Sequence, residues 1–205
     1  MHLSWLGQTC LKLQTKQMDE DVVILFDPYK PEKGDFPRSF SPSVALYSHR
    51  EDNSATLSQD PFIISTLGEF DIKGVLISAW PGPNETVIFK VTAEGMSLVH
   101  LGAIQEQLSA DLVEKLGKID ILALGVGGEK KYLSPSAAAE VINELEPRVV
   151  IPMGYASDSD PEVKPVEDFI KASGLKAAVT DKKVILKAKD LPQEDMQLMV
   201  LEKNI

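Results

Sequence analysis

Apolar residues in the first half of the chain fall in short runs or alternate with polar ones, the period of strands. The second half drifts toward helical spacing. Segments 2–6 and 10–13 flank Gly7, Gln8 and Thr9, which predicts a hairpin-like pair. Residues 22–26 form a continuous apolar run that stops at Asp27-Pro28, as a buried strand closed by a proline turn does. Further strands are expected over 44–47, 61–65, 74–78, 86–91 and 96–101. Turn formers separate them, including Gly68, Pro81-Gly82-Pro83-Asn84 and Glu94-Gly95. Residues 29–42 and 48–56 carry Pro, Gly or charge and read as loops.

Beyond residue 105 the pattern alternates between helix and strand. Ser109 and Gly117 are the N-cap and stop expected of a helix over 109–116. The apolar run 119–124 ends in Gly125-Val126-Gly127-Gly128, and Ser134-Pro135 opens an Ala-rich helix reaching 145. A strand over 148–151, a helix over 161–173 and strands over 176–180, 184–188 and 197–201 complete the chain. A strand-rich half followed by alternating elements implies two sheets with helices outside them. The sequence contains no internal repeat, low-complexity tract or linker, so residues 1–205 are expected to form a single domain.

Composition narrows the function. The chain of 205 residues is 43% hydrophobic and 25% charged, enough apolar residue for a real core. Its 21 basic against 31 acidic residues give a formal net charge of −10, which disfavours nucleic acid and anionic membrane surfaces as partners. No segment approaches the roughly 18 to 20 apolar residues needed to span a bilayer, and residues 1–8 lack a signal-peptide pattern. A soluble, cytoplasmic protein is expected. One cysteine, Cys10, excludes an internal disulfide and any multi-cysteine metal site. Three histidines (His2, His49 and His100) leave little for an imidazole metal centre, although a Ser-His-Asp or Cys-His site survives the count.

Six strings, taken in order, resemble the metallo-β-lactamase superfamily, in particular its small bacterial zinc-dependent hydrolases of the ascorbate-phosphate lactonase branch. Trp5-Leu6-Gly7 is similar to that group's "WLGH", and residues 24–28 to its "ILIDP". Ser48-His49 stands where "THxHxDH" begins, and residues 99–102 are similar to "HLGD". Residues 121–128 resemble "LLLPVGG" and residues 150–155 resemble "VIPMHY". The resemblance covers about residues 3–155 and implies a four-layer αββα sandwich with the site at one edge of the sheets.

In such hydrolases histidines and aspartates hold one or two zinc ions that bring a bound water's pKa toward about 7. Carried over position by position, the resemblance leaves His49 as a ligand and little else. Glu51 stands for the second histidine, Asn53 for the aspartate and Ser54 for the final histidine of the first motif. Gln8 replaces the histidine of "WLGH", Ala103 the bridging aspartate and Gly154 the histidine of "MHY". The turn at 81–84 lacks the later histidine expected there. His49 and Glu51 remain the metal candidates, but two ligands do not hold a catalytic zinc, which usually takes three and a water.

Other candidates have structural readings. Asp27 is expected to cap a loop by accepting backbone N–H groups, and in the family it supports the metal loop. Gly127 and Gly128 follow a strand and precede a helix, yet lack phosphate-loop spacing, so a tight turn at the site's rim is expected. His100 and Cys10 read as buried structural residues. The acidic stretch 158–162 suits a helix start, and the apolar C-terminal strand suits a sheet edge or a homo-oligomer contact.

The resulting expectation is a non-catalytic binding or scaffold protein. Its rim would be Gln8, Asp27, His49, Glu51, Asn53, Ser54, Ala103, Gly127, Gly128 and Gly154, with no cofactor and a small ligand or protein as partner. The alternative is a phosphoester, lactone or amide hydrolase with a reduced mononuclear zinc site around His49 and Glu51.

Overall fold

The computed structural model describes residues 1–17, 19–34, 40–49 and 54–204. Two sheets pack face to face. The first is six-stranded: β1 (His2–Trp5), β2 (Leu11–Gln17), β3 (Glu20–Phe26), β4 (Val44–Leu46), β5 (Phe62–Ile64) and, from late in the chain, β13 (Val184–Ile185). Its order is β13-β1-β2-β3-β4-β5, with β1 to β3 antiparallel and β3 to β5 parallel. The second sheet holds β6 (Gly68–Ile72), β7 (Val75–Pro81), β8 (Val87–Ala93), β9 (Met96–His100), β10 (Ile121–Gly125), β11 (Val149–Met153), β12 (Ala177–Asp181) and β14 (Gln197–Leu201). Its order is β12-β14-β11-β10-β9-β8-β7-β6.

Strands β9 to β11 are buried throughout, as parallel strands covered on both faces must be. Between the sheets Leu3, Leu13, Ile24 and Phe26 belong to one continuous core with Ile77, Phe89 and Leu98. Three helices, α1 (Ala110–Leu116), α2 (Pro135–Leu145) and α3 (Val166–Ser173), follow strands of the eight-stranded sheet. Leu6, Cys10, Leu25 and Tyr29, with Phe40 and Leu57, form a second apolar cluster associated with the six-stranded sheet. The expected αββα sandwich is therefore the architecture observed. No helix among the described residues is long and apolar enough to cross a membrane.

Local chemistry explains most boundaries. Ser109 and Ser134 cap α1 and α2 by accepting the N–H groups of Leu112 and Ala137, and Pro135 takes the first position of α2. Several expectations change, among them the strand expected over 184–188, which ends at Ile185. β6 runs straight through the segment opened by Gly68, whose single turn signal hid a half-exposed strand paired with β7. The third helix starts at Val166 rather than 161. The backbone before it is committed elsewhere: Lys164 N–H donates to Gly127 O, and Lys164 O accepts from Ala156. The C-terminal strand is no sheet edge either, because β14 lies between β12 and β11 and its apolar residues are covered within the chain.

Candidate functional site

The ends of β3, β4, β9, β10 and β11 deliver their following residues to one edge of the sandwich. Asp27, just after β3, is buried and adopts φ 45°, a left-handed conformation that aspartate tolerates better than most residues. Its carboxylate accepts both the backbone N–H and the hydroxyl of Ser48, each at 2.6 Å. Asp27 thus ties β3 to the loop after β4 rather than capping its own loop. Gly102 must approach this pair closely: a Cβ there would fall 2.2 Å from Ser48 Oγ. Ser48 is fully buried and donates its hydroxyl proton to Asp27.

Both histidines of the region face Asp27. His49 Nδ1 lies 3.7 Å from Oδ1 and 3.2 Å from Ser48 Oγ, with its side chain 46% exposed. His100 Nε2 lies 4.0 Å from Oδ2 and 2.8 Å from the carbonyl of Thr9, to which it donates. The His100 ring is fully buried and stacks on Phe26 with centroids 4.6 Å apart. Burial lowers its pKa against the opposing pull of Asp27, so the ring is neutral at pH 7. Among the described residues its Nδ1 has no hydrogen-bond partner. Cys10 is also buried, which pushes its thiol pKa well up, with Asp27 adding to the effect, and makes it inert as a nucleophile.

After β10 the chain makes a tight reversal. Gly128, Glu129 and Lys130 take φ of 64°, 55° and 61° in succession, and Gly128 O accepts the N–H groups of Lys131 and Tyr132. Two non-glycine residues in the left-handed region are costly, and the turn they build aims one side chain. The Tyr132 ring lies over Gly154 and Gly125. A Cβ on Gly154 would sit 2.9 Å from three ring carbons, and one on Gly125 would sit 2.6 Å from another. Tyr132 is 6% exposed. Its hydroxyl donates to Asp160 Oδ2 at 3.1 Å, while Lys131 Nζ holds Oδ1 at 2.7 Å. Burial, followed by Asp160, raises the Tyr132 pKa far above its usual value, so the phenol stays protonated. Gly127 lets the two loops touch, since a Cβ there would lie 2.1 Å from Gly154 O. Gly154 N–H in turn donates to the carbonyl of Gln8.

Above these residues opens a cavity of about 260 Å³ lined by Gln8, Thr9, His49, Ala103, Lys131 and Tyr132, among others. A family model described as the beta-lactamase superfamily domain matches residues 2–154, the segment that builds this edge. The chain belongs to the metallo-β-lactamase superfamily. A candidate zinc-dependent hydrolase of that superfamily from Thermotoga maritima has a similar structure, with TM-score 0.82 and 25% identity over 98% of both chains. A metallo hydrolase from Ignicoccus hospitalis shares the fold at TM-score 0.62 and 17% identity, over 84% of this chain and 90% of its own. A metal-dependent hydrolase from Thermococcus kodakarensis is 27% identical over 94% of this chain and 88% of its length. A Pyrococcus furiosus relative is 36% identical over 67 residues, which span 32% of this chain and 30% of that protein.

Of the positions carried over from the superfamily, the structure brings Gln8, His49 and Ala103 to the cavity wall, with Asp27 behind His49. Gly127, Gly128 and Gly154 shape the loops beneath Tyr132. Ser54 hydrogen-bonds the Tyr47 hydroxyl at 2.6 Å and bridges to Tyr29, and it is not among the cavity's lining residues. Glu51 and Asn53 lie outside the described residues. Among the described residues no three His, Cys, Asp or Glu side chains form a set able to hold a metal ion. Asp27 already accepts two bonds from Ser48, His100 Nε2 is taken by Thr9, and Tyr132 fills the space a side chain at Gly154 would need. Sequence reasoning missed Tyr132, Lys131 and Asp160. A buried tyrosine among polar neighbours and an aspartate in an acidic stretch carry no periodic signal that separates them from loop residues.

Proposed function

We propose that this superfamily member is a non-catalytic binding protein that recognises a small polar ligand in the cavity over Tyr132. The observation that carries the reading is the Tyr132 ring seated on Gly154, in the volume a ligand side chain of the "MHY" type would occupy. Lys131, His49 and Gln8 give the cavity polar, partly cationic walls, which suit a carboxylate-sized or phosphate-sized group. Protein purified without chelator is expected to carry metal well below one equivalent, unchanged by His49→Ala. Stoichiometric zinc, manganese or iron that is lost on His49→Ala would overturn the reading.

A second reading, a metal-dependent hydrolase, draws on the Thermococcus kodakarensis relative and on His49 lying 3.7 Å from Asp27. It requires His49 and Glu51 to act together on a lactone, phosphoester or amide. The same metal measurement, with hydrolysis assays on those three substrate classes, separates the two.

A further inference from the structure

A larger cavity, of about 500 Å³, opens on the other side of Trp5 and shares no lining residue with the one over Tyr132. Its floor is the pair Trp5 and Tyr155, with ring centroids 4.2 Å apart at 36°. Both polar handles of the pair are spent within the protein: Trp5 Nε1–H donates to Gln8 O at 2.8 Å, and the Tyr155 hydroxyl donates to Leu201 O. The cavity therefore meets these residues as hydrocarbon. Val166 and Ile170 of α3, Ala177 of β12 and Val200 of β14 extend the apolar wall. The volume lies within the roughly 300–1,000 Å³ typical of small-molecule sites.

Charge at the rim selects among apolar ligands. Among the described lining residues Lys203 is the one cation, and its ammonium lies 2.6 Å from Asp158. Glu167 and Glu202 are the remaining charged lining residues, and neither side chain has a hydrogen bond or ion pair among the described residues. Both line the cavity beside Tyr155, and their charges help to raise the pKa of its hydroxyl, which burial raises most. An apolar floor with two unbalanced carboxylates favours an ammonium on a compact hydrocarbon body, whose positive charge also gains from nearby aromatic faces.

We infer that the Trp5–Tyr155 cavity is a binding site for a small aromatic or branched aliphatic primary amine, separate from the site over Tyr132. Trp5 reports on it directly, because Trp80 is the sequence's only other tryptophan and Trp80→Phe isolates the Trp5 signal. Protonated phenethylamine titrated into the Trp80→Phe protein should change Trp5 fluorescence saturably. Phenylethanol should bind about tenfold more weakly, as expected for the loss of two solvent-screened ion pairs, and phenylpropanoate weaker still. The double variant Glu167→Gln/Glu202→Gln should erase the preference for the amine while leaving the circular dichroism spectrum unchanged. Ala177→Phe should fill the cavity and abolish the signal. The proposal fails if phenethylamine gives no saturable change, if the alcohol binds as tightly as the amine, or if binding persists in Ala177→Phe. If the double variant does not fold, Glu202→Gln alone should still cut the amine-to-alcohol ratio at least about threefold, and an unchanged ratio overturns the assignment.

Discussion

The ring of Tyr132 rests on the bare Cα of Gly154, with three ring carbons 2.9 Å from the point a Cβ would occupy. Each residue requires the other. Gly154→Ala places a methyl against the ring and forces alanine into φ 58°, so a loss of about 1–3 kcal/mol is expected in urea unfolding. Tyr132→Ala alone should cost about 3–5 kcal/mol, the range for deleting a buried aromatic ring. In the double variant the steric part of the Gly154→Ala penalty should vanish. Strictly additive losses would mean that the ring does not occupy this space.

Asp160 is 2% exposed and accepts from both the Tyr132 hydroxyl and Lys131. Asp160→Ala leaves a buried hydroxyl without its acceptor, a loss of about 1–3 kcal/mol. Lys131 is half exposed, so its ion pair is screened and Lys131→Ala should cost less than about 1 kcal/mol. Thermal unfolding of the two variants should therefore rank Asp160→Ala clearly below Lys131→Ala. The reverse order would place the anchor of the turn in the lysine.

Much of the sandwich was legible because its signals are local. The run 22–26 ending at Asp27-Pro28 and the Ser134-Pro135 helix start appear in the structure as β3 and α2. β6 was not legible, since its GEFDI sequence combines a turn former with two acids and only half-buries Phe70 and Ile72. The candidate positions could be read from the sequence as a set but not as a geometry. Gln8, His49 and Ala103 could be laid on a pattern, but the residue that fills their neighbour's space comes from another loop. Tyr132 and Gly154 are far apart in sequence, and no periodicity links a glycine to the ring that covers it. The acidic stretch 158–162 illustrates the same limit: it reads as a solvated helix start, yet Asp160 is buried against Lys131 and Tyr132.

The Asp27–Ser48 pair ties β3 to the loop carrying His49 through two short bonds. Asp27→Ala removes both acceptors and strands the buried Ser48 groups, so a loss of about 2–4 kcal/mol is expected. Asp27→Asn should cost less than half as much. Its amide oxygen can accept the Ser48 N–H, its NH₂ can donate to Ser48 Oγ, and asparagine tolerates φ 45°. Chemical denaturation measures both variants. Equal losses would mean that the negative charge, rather than the hydrogen bonds, holds the loop.

Acid stability should report on His100. In the folded protein burial outweighs the pull of Asp27 and the Thr9 carbonyl, so the imidazole pKa lies below its ordinary value. In the unfolded chain it titrates near about 6.5. Between those two values the unfolded state binds more protons, and stability therefore rises with pH across that window. Above about pH 6.5 the group contributes no slope; on acidification below it, stability is lost until the folded-state value is passed. Glu94 acts lower on the scale. Burial raises its carboxyl, but the Met1 ammonium, the Thr15 hydroxyl and the Lys16 N–H outweigh that and pull it below the usual carboxylate range. Its stabilisation is present above that range and lost as pH falls through the depressed value. His100→Gln should therefore flatten the stability curve just below about pH 6.5 while leaving the loss through the carboxylate range in place. Urea midpoints measured at half-unit pH steps would test this. An unchanged slope just below about pH 6.5 in His100→Gln would show that the buried imidazole does not govern acid sensitivity there.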